Sequence, residues 1–174
     1  MDIMDAIFDR RSIRKYTQEH VTDQEVEALL RAAMAAPSAG NQQPWQFVVV
    51  RNKARLQEVA GIHPHVHMAP KARLGILVCG DTRVEKYPGY WVIDCAAAVQ
   101  NLLLAAHALG LGAVWTGIHP MQDRVAAFAT LFATPRGVIP HSFIPVGRPA
   151  EAKKREDRFR PERVHQEGFP AEGL

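Results

Sequence analysis

Two segments of this chain carry residue types that could do chemistry. Arg10-Arg11-Ser12-Ile13-Arg14-Lys15-Tyr16 holds four cations and a hydroxyl within its first six residues. Such a segment suits a dianionic phosphate, because guanidinium forks and a hydroxyl match its oxygens. Ala36-Pro37-Ser38-Ala39-Gly40-Asn41-Gln42-Gln43-Pro44-Trp45 is a polar, breaker-rich turn leading into an aromatic strand. Short amides and backbone groups of this kind suit the polar edge of a heteroaromatic ring. Taken singly, each has a plainer reading: a short basic run is commonly a solvated face, and a Pro-Ser…Asn…Pro stretch is commonly a loop. In an extended segment Arg10, Ser12 and Arg14 leave on one face, while Arg11 faces the other way and reaches a shared ligand only by a bend.

Gly110-Leu111-Gly112-Ala113-Val114-Trp115-Thr116-Gly117-Ile118 is a third candidate. Its glycine spacing is not the dinucleotide fingerprint, and the segment leaves a helix instead of entering one, so it indicates no separate NAD domain. A glycine at the end of a buried strand does permit close approach of backbone to a ligand. His63-Pro64-His65-Val66-His67 could line one face of an extended segment and hold a metal. No carboxylate or cysteine lies close by in sequence, so a loop of surface histidines fits better. Cys79 and Cys95 sit in apolar runs and read as buried free thiols, not as a disulfide framework or zinc site. No Ser-His-Asp, Cys-His or paired-carboxylate arrangement is readable, which suits chemistry carried by a cofactor.

The elements that must position these residues follow from periodicity and punctuation. Ile3, Ala6 and Ile7 recur at helical spacing, which places Arg10 to Arg14 at a helix-to-loop transition. Thr22-Asp23-Gln24-Glu25 is a capping-box pattern opening a helix with a Val26, Leu29, Leu30, Ala33, Met34 stripe, stopped by Pro37. Buried strands are predicted over Trp45–Val50, Leu74–Cys79, Gly112–Thr116 and Phe143–Val146, and helices over Leu56–Ala60, Asp94–Leu109 and Met121–Phe132. Asp94–Leu109 is apolar almost all round, which implies burial on more than one side and hence a partner subunit. Gly110 is its natural C-cap. From Arg148 onward the chain is too polar to form a core of its own.

The 174 residues suit one domain, and 47% hydrophobic with 22% charged residues is ordinary for a soluble globular chain. The net charge of +3 includes a second cation-rich stretch, Arg148 to Arg163, whose seven cations are interleaved with Glu151, Glu156, Asp157 and Glu162. Interleaving favours local anion sites over a nucleic-acid surface. The acidic start Met1–Asp5 reads as no leader, and Cys95–Ala106, interrupted by Gln100 and Asn101, is too short to span a bilayer. A cytoplasmic protein without membrane contact is the expectation.

The basic segment and the Pro-Ser turn, in this order and spacing, resemble the nitroreductase family of flavoenzymes, and the resemblance runs from Ile3 to about Phe169. It implies an α+β sandwich around a mostly antiparallel sheet, assembled as an intertwined homodimer whose C-terminal arm, about residues 148–174, crosses to the other subunit. It implies FMN at the subunit interface. Arg10, Ser12 and Arg14 would hold its phosphate and ribityl chain, with Arg11 contributing and Arg158, or alternatively Arg160, completing the site. Pro37, Ser38, Ala39 and Asn41, with Gln43, donated by the second subunit, would line the isoalloxazine, and Thr116 and Gly117 would present backbone to its N5 and O4 edge. His63 to His67 would shape the rim. The implied activity is ping-pong reduction of nitroaromatics, quinones or similar oxidants by NADH or NADPH, with no side chain acting as acid or base. A flavin-binding storage or sensor module without turnover is the other reading.

Overall fold

The computed structural model describes residues 1–169. Helix α1 covers Ile3–Asp9 and α2 covers Asp23–Met34. Helix α2 opens on a complete capping box: Glu25 N–H donates to Thr22 Oγ1 at 3.2 Å, and the Glu25 carboxylate accepts from Thr22 N–H at 2.8 Å. Strand β1 (Trp45–Val50) leads to α3 (Lys53–Ile62), then β2 (Leu74–Asp81) and the long α4 (Trp91–Ala108). Two-residue strands β3 (Gly112–Ala113) and β4 (Thr116–Gly117) precede α5 (Gln122–Phe132) and β5 (Val138–Gly147).

The five strands form one sheet in the order β1-β2-β5, with β3 and β4 both pairing the far side of β5, every pair antiparallel. The predicted third strand is therefore split. Val114 sits opposite Pro145, which has no N–H to return a ladder bond, and Val114 N–H reaches the Pro145 carbonyl only at 3.4 Å. The predicted buried strand Trp45–Val50 is an edge strand, so Val48 and Val49 stay 39% exposed.

Alternation along β2 divides the core between two faces. Leu74, Ile76 and Val78, with Ile144 and Val146 of β5, pack against Val26, Leu29 and Ala33 of α2 and the buried side of α4. Leu77 and Cys79, with Phe143, pack against Leu56 and Val59 of α3 and Phe128 of α5. The sheet is thus sandwiched between two helical layers, which is the expected α+β class. Burying each of these large side chains stabilises the fold by about 1.5–3 kcal/mol. Helix α4 has the length and hydropathy of a membrane span, but eight of its eighteen residues are buried in the core, so it is a core helix. Burial pushes the Cys79 thiol up to about 12 and raises Cys95 too, which leaves both inert at neutral pH.

After α1 the chain runs extended beside β3. Ser12 bridges Ala113 in parallel, Ile13 N–H donates to the Ala113 carbonyl at 3.0 Å, and Tyr16 bridges Pro149. Residues 148–169 then leave the sheet with Phe159, Val164 and Phe169 exposed. The last part of the expected arm, 170–174, lies outside the described residues.

Candidate functional site

The basic segment is held rigidly. Ile13 and Tyr16 are buried, Tyr16 Oη donates to the Ile13 carbonyl at 2.6 Å, and Glu151 accepts from the N–H groups of Arg14 and Lys15 at 2.6 and 3.2 Å. Arg10 and Arg11 turn onto a cavity of about 870 Å³ that Arg155, Glu156, Asp157 and Arg158 also line. Four guanidiniums against two carboxylates leave that cavity with a net charge of +2. Burial, and then the charges of Arg158 and Arg11, hold the Arg10 guanidinium below its ordinary value.

The alternation expected for the segment does not govern the cavity: Arg11 shares it with Arg10, while Ser12 and Arg14 do not line it. The cause is the end of α1, where Arg10 is the C-cap and the backbone bends. Arg11 then wraps back, donating from Nη1 to the Phe8 and Arg10 carbonyls at 2.9 and 2.8 Å and from Nε to the Lys154 carbonyl at 2.9 Å. Its buried Nη2 has no partner among the described residues. The Ser12 carbonyl accepts from Lys153 Nζ at 2.6 Å. Arg158 is bound by Glu156 at 2.9 Å, and Arg160 is not on the cavity.

The turn after α2 is tied internally and to α4. Ser38 Oγ accepts from Gln43 N–H at 3.0 Å, and Asn41 Oδ1 accepts from Gln43 Nε2 at 2.7 Å. Gly40, Asn41 and Gln43 all have positive φ, near +50°. Glycine and asparagine adopt that region readily and glutamine less so, which marks a backbone held by its surroundings. The holder is Asp94. Its buried carboxylate accepts from Ala39 N–H at 3.0 Å and from Gln42 Nε2 at 2.7 Å, while Gln42 Oε1 accepts from Lys86 N–H at 2.8 Å. Pro37 is exposed and makes none of these bonds. Neither Asp94 nor Gln42 was predicted as a site residue. The available signal was Asp94 itself, the one acid in an otherwise uncharged α4.

The third segment presents Thr116 and Gly117. Thr116 is committed to the sheet, donating from Oγ1 to the Phe143 carbonyl at 2.5 Å. Gly117 differs from the other strand glycines. A Cβ at Gly112 would meet Ile13 at 2.6 Å and one at Gly147 would meet Tyr16 at 2.9 Å, but one at Gly117 would meet only the His119 carbonyl oxygen, at 4.0 Å. The fold itself does not require a glycine there, and the space beside it is open. The Gly117 carbonyl accepts from His63 Nε2 at 2.8 Å and from Arg124 Nη1 at 3.1 Å. His63 is therefore buried, contrary to the surface-loop expectation, while His65 and His67 are exposed. The His63 and His65 rings still meet edge-on, with 6.0 Å between centroids.

A sheet sandwiched by helices, with a basic cavity at the end of its first helix and a braced turn after its second, places the chain in the α+β sandwich class. Comparison with known proteins narrows this. The model of the nitroreductase family matches residues 7–75 and 76–148. A relative from Methanothermobacter thermautotrophicus, provisionally named a NADH dehydrogenase/NAD(P)H nitroreductase, is 50% identical over 96% of this chain and 87% of its own. A crystal structure of a protein of the same provisional name from Bacteroides thetaiotaomicron superposes with a TM-score of 0.92 at 38% identity, covering 96% of this chain and 98% of that one. A provisionally named nitroreductase from Desulfovibrio desulfuricans, crystallised with FMN, superposes with a TM-score of 0.84 at 36% identity, covering 98% and 99%. The chain belongs to the nitroreductase family.

Proposed function

We propose that this chain is an FMN-dependent oxidoreductase that uses NADH or NADPH to reduce electron-poor small molecules such as nitroaromatics or quinones. We place it in the cytoplasm as a single-domain homodimer with FMN at the subunit interface. The observation that carries the reading is the convergence of Arg10, Arg11 and Arg158 on one cavity of net positive charge. A phosphate fits such a donor set, each charge-assisted hydrogen bond contributing about 1.5–3 kcal/mol. The open space beside Gly117 fits the second requirement, close approach of a flat ring to backbone. The FMN complex of the Desulfovibrio relative and the nicotinamide names of the others point the same way.

When bound, FMN would supply the redox chemistry, relaying two electrons as hydride between a reduced nicotinamide and the oxidant. The residues of this chain bind and orient. Arg10, Arg11 and Arg158 grip the phosphate, with Ser12 and Arg14 following along the sugar chain. Pro37, Ser38, Ala39, Asn41 and Gln43 of the second subunit would line the ring, braced by Asp94. Thr116 and Gly117 would present backbone to its reacting edge. Dimerisation is supported by what the single chain leaves uncovered: Ile93 on α4 is 62% exposed, and Ile3, Phe159 and Phe169 are exposed on α1 and the arm. An arm exchanged between subunits would cover apolar surface of this kind.

The test is an absorbance spectrum of the purified protein, followed by anaerobic addition of NADH and then NADPH. Flavin bands that bleach with either donor are the expected result. Bands that persist with both would replace this reading by a flavin-binding module without turnover, and no flavin uptake after incubation with FMN would overturn it.

A further inference from the structure

His63 caps the end of α3 with its ring buried edge-on against Phe128, at 6.1 Å between centroids. Its two ring nitrogens have different work. His65 N–H donates to Nδ1 at 3.1 Å, so Nδ1 carries no proton, and Nε2 therefore carries the proton that it donates to the Gly117 carbonyl at 2.8 Å. An imidazolium would set two donors against each other at Nδ1. Burial, followed by the nearby Arg124 and His65, accordingly holds the ring below its ordinary value and neutral, even though its bond to Gly117 favours the proton. Arg124 reaches the same carbonyl from α5.

Two side chains from separate elements thus converge on one backbone carbonyl in a strand only two residues long. That carbonyl belongs to the glycine with open space beside it. Without a Cβ, the peptide at Gly117 has more freedom to pivot than any other in the strand. Two donors at its carbonyl remove that freedom from one side, while on the other the N–H of the same peptide, that of Ile118, donates to the His141 carbonyl at 3.0 Å.

We propose that His63 is a positioning residue for the reaction: with Arg124 it clamps the Gly117 peptide in the orientation against which the reacting edge of the flavin is held. The proposal rests on the reading that Gly117 borders the ring. His63 touches neither phosphate cavity nor turn, so its effect falls on the rate of hydride transfer and on the flavin spectrum, not on how tightly FMN is held.

The test compares His63→Leu, His63→Gln and Arg124→Met in the FMN-loaded protein. His63→Leu is expected to bind FMN within about threefold of the unaltered protein, because His63 does not line the cavity that Arg10, Arg11 and Arg158 share. Its anaerobic reduction by NADH should slow by about tenfold, with shifted flavin bands, because a small misplacement at the reacting edge is costly. His63→Gln, whose amide nitrogen can replace Nε2, should recover most of that rate; a purely packing role would not be rescued this way. Arg124→Met removes the second donor from the half-exposed side and should slow reduction in the same direction. It decides the matter if His63→Leu fails to fold. Normal reduction rates and flavin bands in the folded variants would overturn the clamp. In the FMN-free protein, ¹⁵N NMR should show His63 protonated at Nε2 alone, and a doubly protonated ring at neutral pH would also overturn it. Gly117→Val separates the two ideas. If it binds FMN normally, the placement of Gly117 at the ring has failed; if it blocks FMN while His63→Leu changes nothing, only the clamp has failed.

Discussion

Gln42 Nε2 donates to Asp94 Oδ2 at 2.7 Å, fastening the turn after α2 to the first turn of the long apolar helix. Ala39 N–H donates to the other oxygen of the same carboxylate. Asp94→Ala would leave one buried and one half-buried donor without an acceptor, at a cost of about 2–4 kcal/mol. Urea unfolding should show that loss, and FMN titration should show weaker binding as the turn loosens. Asp94→Asn keeps one acceptor and should fall between. An Asp94→Ala protein as stable as the parent would mean that the turn holds itself.

The contrast between two glycines gives a second prediction. Gly117→Ala should leave the flavin-free protein within about 0.5–1 kcal/mol of its parent, since the new methyl meets open space. Gly112→Ala should destabilise by about 1–3 kcal/mol, because its methyl would collide with the buried Ile13 at 2.6 Å. FMN affinity should respond the other way round, falling sharply at Gly117. Thermal melts of the two FMN-free variants, set beside their FMN titrations, check both halves.

Removing single arginines should grade the phosphate grip. Arg10→Ala and Arg158→Ala should each weaken FMN by roughly 10–150-fold, the equivalent of one charge-assisted hydrogen bond. Arg160→Ala should matter little, because Arg160 does not line the cavity. The weakened binding should also lose part of its dependence on salt. Fluorescence titrations of FMN at two ionic strengths measure both effects. Equal losses at Arg158 and Arg160 would move the site along the arm.

His141 sets a pH dependence of stability. It is buried among Trp91, Trp115 and His119, and burial first, then the charge of His119, pulls it down to about 4 from the ordinary 6.5. The unfolded chain therefore takes up a proton at His141 below about pH 6.5 that the folded chain refuses until about pH 4. Stability should fall by about 3 kcal/mol as pH drops through that window. Urea midpoints measured between pH 7 and pH 4 should be flatter for His141→Gln once its lower starting stability is subtracted. Parallel curves would remove His141 as the cause.

Much of the fold was legible from local patterns. The Thr22 capping box, the Pro37 stop, the Leu74–Cys79 run and the left-handed Gly110 after α4 each depend on a few neighbouring residues, and each has its counterpart in the structure. The misses have tertiary causes. Val48 and Val49 look like core residues, yet their exposure depends on β1 having a neighbour on one side only. The break between β3 and β4 depends on a proline opposite, in a strand far along the chain. Within the site, the basic run and the Pro-Ser turn were visible as chemistry, because rare residue types cluster there. Asp94 and Gln42 were not, because one acid and one amide far apart in sequence carry no sign that they will meet.

Composition and local spacing determined the element order, the basic run and the turn, and through those two motifs the family resemblance that implied the α+β class. These properties depend on periodicity and on side-chain types within a few residues of one another. Only the tertiary structure decided that Arg11, and not Ser12 or Arg14, shares a cavity with Arg10 and Arg158, that Asp94 braces the turn, and that His63 is buried against the Gly117 carbonyl. Those outcomes turn on where a helix end bends and on which polar atoms packing strips of water and forces to find partners. The chain reaches that point only once the sheet and both helical layers are in place.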